Sequence, residues 1–263
     1  MSPEAYPLRS DYREFPSPRL LSDYFLCFWT QTISGARGEY AHQVLPDGCV
    51  DLVFVNQDAP VAVGPWTDPF FARLGAGSRI LGARLHPGRA PGLLGLPAME
   101  VLNQSVPLQA LWGAVKSERF DRVREADTAQ RPKALSKALL DARHQFEPYD
   151  QAVATAIEWL ARNPQGNVEQ LSQAMGISRR QLQRKFSAAV GYGPKTFQSV
   201  FRFQRLLRMA RQGGRSLSDL AAGASYSDQA HMTREVRRFT NNLPTTVLRS
   251  TRSTLQMSDL FKT

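Results

Sequence analysis

Residues Leu171 to Phe186 read as a short helix, a tight turn and a second helix, and much of this pattern returns about fifty positions later. The first copy runs Leu171, Ala174, Gly176, Ser178, Leu182 and Phe186, then Gly193-Pro194. The second runs Leu220, Ala222, Ser225, Ser227, Met232 and Val236, then Leu243-Pro244. Each copy is expected to turn near Gly176 or Ser225 and to open its second helix on a serine. One such pattern in a chain is weak. Two, joined by a long helical run, predict an all-helical region that presents two recognition helices together.

The charge distribution singles out the same region. Residues 1–150 hold 16 Lys/Arg against 17 Asp/Glu, whereas residues 151–263 hold 17 against 6. Fourteen of those 17 basic side chains are arginine, which suits phosphate forks and guanine edges. The repeat-bearing half is therefore expected to meet a polyanion, and the first half is electrically ordinary.

At 263 residues and 42% hydrophobic content the chain has room for two cores. No apolar run approaches the roughly 18 residues of a membrane span, and the N-terminus lacks a basic-then-apolar leader. A cytoplasmic protein without membrane contact is the expectation. Cys27 and Cys49 are too few for a four-thiolate zinc site and are expected reduced and buried.

Residues 1 to about 115 carry most of the prolines and short apolar runs between turn residues. Val50–Val55 and Arg79–Leu85 read as strands, in a mostly antiparallel sheet or barrel with an entry helix near Leu20–Trp29. From Leu108 the spacing becomes helical, with Leu108, Leu111, Trp112 and Val115 on one face. A helix around Ala134–Phe146 follows. Pro148 is placed to start the next helix, and Asn163-Pro164-Gln165-Gly166 to stop it. The expected class is α+β, divided as 1–115 (mostly β, sensing), 116–150 (helical linker or dimerisation segment), 151–252 (DNA binding) and 253–263 (polar tail). Helices between 108 and 162 either carry a homodimer interface or pack within one chain.

Ser178 and Gln181 form a capping box for the first recognition helix. Leu182 and Phe186 then face the core, leaving Arg179, Arg180, Gln183, Arg184 and Ser187 for DNA. Arginine forks guanine and glutamine pairs adenine in the major groove. In the second helix Met232, Val236 and Phe239 face inward, and Gln229, Thr233, Arg234 and Arg237 outward. His231 packs, contacts a phosphate or reads a base. Arg238 lies late in the helix and suits a phosphate. Between the units, Pro194 starts a helix of about 17 residues, roughly 25 Å long. Arg202, Arg205, Arg208 and Arg211 recur along it, some of them for ion pairs or packing. Gly213-Gly214 ends it.

Residues from about 167 to 250 resemble the DNA-binding domain of the AraC/XylS family of bacterial transcription regulators. The resemblance is carried by Leu171-Ser-Gln-Ala-Met-Gly-Ile-Ser178, Leu182-Gln-Arg-Lys-Phe186, Gly193-Pro194, Leu220-Ala-Ala, Tyr226 to Met232, Arg234 and Pro244. It implies seven helices whose third and sixth enter successive major-groove segments. By position, base reading then falls on Arg180, Gln183 and Arg184, and on Gln229, His231, Thr233 and Arg234. Two features depart from the family pattern: Val236 replaces a phenylalanine, and Asn241-Asn242-Leu243 replaces a glycine turn. Asparagine tolerates positive φ, so the turn is expected to survive.

More faintly, His42 to Phe54, Gly64-Pro65 and Arg84-Leu-His-Pro-Gly88 resemble the N-terminal domain of one subgroup of these regulators. In the wider family such domains are often cupin-like barrels that bind an effector or dimerise. Candidate effector contacts are His42, Asp51, Trp66, Arg84, His86 and Arg89. The arginines would favour an acidic effector and Trp66 an aromatic or apolar one. No metal motif, nucleotide loop or catalytic elbow is present, so no cofactor and no enzyme activity are expected. The resulting expectation is a promoter-binding regulator, more often an activator, with double-stranded DNA, a small effector and RNA polymerase as partners. A nonspecific architectural binder is the alternative. A DNA-targeted repair enzyme would need clustered cysteines that this sequence lacks.

Overall fold

The computed structural model describes residues 8–35 and 37–253. The expected polar tail after Arg252 therefore lies almost wholly outside the described residues. Strands occupy the first part: β1 (Arg9–Pro16), β2 (Phe25–Ser34), β3 (Glu39–Val44), β4 (Asp51–Val55), β5 (Val61–Val63), β6 (Phe70–Gly75), β7 (Arg79–Leu85) and β8 (Ser105–Pro107). Six of them form one sheet in the order β1-β2-β7-β4-β5-β8, and β3 pairs with β6 in a second, two-stranded sheet. All pairings are antiparallel. Both sheets are open, so the barrel alternative is not what forms.

The expected strands at 50–55 and 79–85 are β4 and β7. The expected entry helix at 20–29 is not formed. Only a single 3-10 turn, Arg19–Leu21, precedes β2. The run Phe-Leu-Cys-Phe-Trp-Thr-Gln-Thr-Ile is aromatic and β-branched, and it lies between two partner strands, so sheet burial overrides a weak helical period.

Helices follow: α1 (Ala90–Leu94), α2 (Leu108–Ser117), α3 (Asp121–Glu125), α4 (Arg131–Ala142) and α5 (Gln151–Arg162). The apolar face expected along α2 is interrupted, because Gly113 sits at φ 74° inside it. Leu135 and Leu139 of α4 are buried with Phe25, Leu52, Phe54, Leu85 and Phe120 in the core behind the large sheet. Helix α5 starts later than Pro148: Asp150 caps it, accepting hydrogen bonds from the Ala152 and Val153 amides. Its Val153, Ala156, Ile157 and Leu160 join the core of the last helices. Among these helices Leu108, Leu135, Leu139, Val153, Ile157 and Leu160 are buried within the chain, and the side chain of Val115 lies outside the described ones.

The remaining elements are α6 (Val168–Ala174), α7 (Arg179–Val190), α8 (Pro194–Arg211), α9 (Leu217–Gly223), α10 (Gln229–Thr240) and α11 (Pro244–Ser253). With α5 they make the seven helices that the resemblance implies. Phe186, Phe197, Phe203, Leu206, Met232, Val236 and Phe239 are at most 1% exposed in their common core.

Candidate nucleic-acid interface

The two units share one backbone device. Between α6 and α7 the chain turns through Gly176 at φ 63°, and between α9 and α10 through Ser225 at φ 65°. A left-handed residue there lets the second helix leave at a steep angle, and only in the first copy is it the glycine that adopts it without strain.

Each recognition helix is capped. Ser178 accepts the Gln181 amide, and the Gln181 side chain accepts the Ser178 amide in return, as expected. In the second copy the cap is Asp228, one residue beyond the expected Ser227; its carboxylate accepts the His231 amide. That bond, first among its causes, holds the Asp228 carboxyl below the usual aspartate range. A carboxylate at a helix start also complements the helix dipole, an advantage a serine lacks. Ser227 instead donates to or accepts from His231 Nδ1 at 3.1 Å.

The outward face of α7 carries Arg180, Gln183 and Arg184, all exposed, with Ser187 half-buried behind them. Arg179 lies 3.4 Å from Glu169 of α6. Gln183 donates to Ser187 Oγ at 3.2 Å, an exposed bond that a base edge could replace. On α10, Gln229, Arg234, Arg237 and Arg238 are exposed. Thr233 turns its hydroxyl back to the Gln229 carbonyl at 2.8 Å. His231 is half-buried edge-on against Tyr226, with ring centroids 5.3 Å apart. Its packing role is therefore visible in the DNA-free chain.

Helix α8, 18 residues and about 27 Å long, separates the two units. Of its arginines, Arg202 reaches Glu235 of α10 at 3.3 Å, with only 14% and 13% of the two side chains exposed. Arg202 also lies over the Tyr226 ring. This ion pair was not legible as a pair in the sequence, although an arginine on an otherwise apolar stripe is its signal. At the far end of α10, Asn241 adopts φ 56°, so the asparagine turn expected in place of glycine forms.

The first half is seated against this region. Leu45 and Leu102 pack on the core of the last seven helices. Gln204 of α8 donates to the Pro46 carbonyl, and Gln43 of β3 donates to the Thr240 carbonyl at 3.0 Å. Gly48, at φ 82°, lies close enough to Phe197 and Tyr192 that an added Cβ would stand 3.0 Å from the Phe197 ring. Lys185 of α7 bonds Asp150 at 2.7 Å. None of these contacts was foreseen, since single glutamines carry no positional signal.

Of the candidate effector residues, His42, Asp51 and Arg84 come together in one cluster, and Trp66, His86 and Arg89 lie apart from it. Arg84 bonds Asp51 at 3.1 Å and lies 3.4 Å from Asp47. Burial works against its charge, but the two carboxylates outweigh burial and hold the guanidinium firmly protonated. Trp29 Nε1 also donates to Asp51. His42 sits near this cluster beside Gln31, its pKa lowered by burial and then by Arg84. Trp66 stacks flat on Phe70 at 3.9 Å, its indole N–H buried without a partner. His86 meets the Ser22 carbonyl, while Arg89 bonds the Asp23 carbonyl and covers the Tyr149 ring. Cys27 and Cys49 are buried thiols and form no disulfide.

A capped, arginine-bearing helix repeated on one rigid spacer defines a double helix-turn-helix DNA-binding protein. Residues 171–250 match a family described as a helix-turn-helix domain, and residues 13–107, which end with β8, match a domain of unknown function, DUF6597. Over 91 residues, 34% of this chain, the sequence is 30% identical to proteins of Streptomyces antibioticus and Streptomyces lividans named as AraC-like transcription regulators. The match spans 30% of each of those relatives. A solved AraC family regulator of Rhodopseudomonas palustris is 23% identical, with 39% of this chain and 99% of that one covered and a TM-score of 0.35. ToxT of Vibrio cholerae is 7% identical, with 92% and 98% covered and a TM-score of 0.46. The helical half contains a helix-turn-helix domain and is similar to part of AraC-like transcription regulators. Among the described residues no helix is long and apolar enough to cross a membrane.

Proposed function

We propose that this protein is a sequence-specific transcription regulator, an activator, that sets α7 and α10 into successive major-groove segments of a promoter. The observation that carries the reading is the pairing of two exposed reading faces on either side of α8. A spacer of this length suits two helices that must meet one face of DNA about one turn, ~34 Å, apart. Arg180, Gln183 and Arg184 read bases in the first segment, and Gln229 and Arg234 in the second. Arg179, Arg237 and Arg238 hold phosphates; Ser178, Ser187, His231 and Thr233 complete the contact surface. The region up to 115 senses a small effector or a partner, 116–150 links it to the reader in 151–252, and the protein works in the cytoplasm as a homodimer with RNA polymerase. It performs no catalysis.

Selection of bound sites from a random DNA pool at physiological salt tests this. An enriched motif of two blocks about one helical turn apart supports the reading. A single block would demote α10 to a phosphate clamp. Binding that random competitor abolishes would replace the reading with a nonspecific architectural role.

A further inference from the structure

The large sheet ends differently on its two sides. At one end β8 is three residues long and closes on Pro107, which leaves little for another strand to pair with. At the other end β1 runs eight residues, Arg9–Pro16, paired along its whole length to β2 on one side. Among the described residues no strand pairs with its outer edge. A long open edge is a template for strand addition unless its side chains forbid it.

The side chains of β1 are selective rather than forbidding. Arg9, Asp11, Arg13 and Phe15 are exposed and alternate with half-buried Ser10, Tyr12 and Glu14. Arg13 and Asp11 lie 2.9 Å apart, with 69% and 59% of their side chains exposed. A second copy added antiparallel about a two-fold axis must keep odd-numbered residues opposite odd-numbered ones, because the pleat alternates. A register centred on Asp11 sets arginine opposite arginine and aspartate opposite aspartate. One centred on Arg13 sets that arginine opposite itself. Centred on Tyr12, Asp11 stands opposite the partner's Arg13 and Arg13 opposite the partner's Asp11. Arg9 then faces the partner's Phe15 and Phe15 the partner's Arg9. Of the registers that pair seven residues of each strand, this one alone makes every outward pair attractive, and a two-fold axis repeats each one.

We propose that β1 is the homodimer surface of this protein: two copies join their sheets edge to edge, antiparallel, about an axis through Tyr12. This rests on the homodimer of the proposed function but not on its DNA reading. The helices between 108 and 162 are then free of that duty, consistent with the burial of Leu108, Leu135, Leu139, Ile157 and Leu160 inside the chain.

Sedimentation velocity of the full chain over a concentration series, without DNA, tests it. The variants are Arg13→Asp, which makes the outward face doubly acidic, and Asp11→Arg, which makes it wholly basic. Each alone should weaken self-association about tenfold or more, because two attractive pairs become repulsive. An equal mixture of the two should associate again, since the acidic strand of one variant meets the basic strand of the other. Unchanged thermal midpoints for both variants establish that the fold is intact, as expected for exposed side chains. The proposal is overturned if the wild type stays monomeric throughout, if either variant associates like the wild type, or if the mixture fails to recover. Failure of the DNA reading alone would leave these outcomes untouched.

Discussion

The two helix-turn-helix units follow one plan and are anchored in two ways. The first has a glycine in its turn, an uncharged cap, and a recognition helix tied to Asp150 through Lys185. The second carries a serine in the same left-handed turn, a charged cap, and a recognition helix tied to α8 by the buried Arg202–Glu235 pair. The first unit is thus built with less local strain and more exposed reading groups. The second holds its helix with the less exposed of the two ion pairs. A repeated motif is a repeated geometry, and each copy finds its own source of stability.

Breaking the buried pair should have the largest effect. Arg202→Ala leaves Glu235 with a buried charge and should cost about 3 kcal/mol of stability in a urea titration. A loss below about 1 kcal/mol would mean that Arg202 acts as a surface arginine. Next comes reading: Arg184→Ala should weaken binding to the selected site by roughly 1–3 kcal/mol while sparing random DNA, measured by competition. Equal loss on both DNAs would make Arg184 a phosphate contact. The turns sharpen the comparison with opposite signs. Gly176→Ala should cost roughly 1 kcal/mol, and Ser225→Gly should stabilise by a few tenths or more, because only glycine is at ease at positive φ. Two equal losses would show that the side chain of Ser225 matters more than its backbone.

The smallest effect is a difference in pH response. The Asp228 carboxyl is held below its ordinary range, so its capping contribution is complete at neutral pH and is lost as pH falls through the lowered folded pKa. Ser178 has no such titration. Amide shifts of His231 should therefore move on acidification below about pH 3.8 while those of Gln181 stay constant; parallel movement would place the change elsewhere.

What the sequence revealed was what is local. Ser178 with Gln181, the tight turns near Gly176 and Ser225, and the inward Leu182, Phe186, Met232 and Phe239 all follow from spacing within one or two helical turns. The strand at Phe25–Ser34 is not legible because its aromatic run also fits a helical period, and only its partners β1 and β7 decide the matter. The cap moved from Ser227 to Asp228 because either side chain can cap and the shift costs one residue. Of the effector candidates, Trp66 in the loop after β5 and Arg89 at the start of α1 lie away from the cluster of His42, Asp51 and Arg84, because loop residues carry no pleat that fixes their direction.

The seating of Pro46 under Gln204 and of Gln43 under Thr240 joins positions 158 and 197 residues apart. During synthesis the first half leaves the ribosome with that loop uncovered and must wait for α8 and α10 before Leu45 and Gly48 find their neighbours. For much of its birth the nascent chain therefore shows an unfinished apolar seam. Truncation after the last strand should leave a fragment that sticks to chaperones rather than a clean isolated domain.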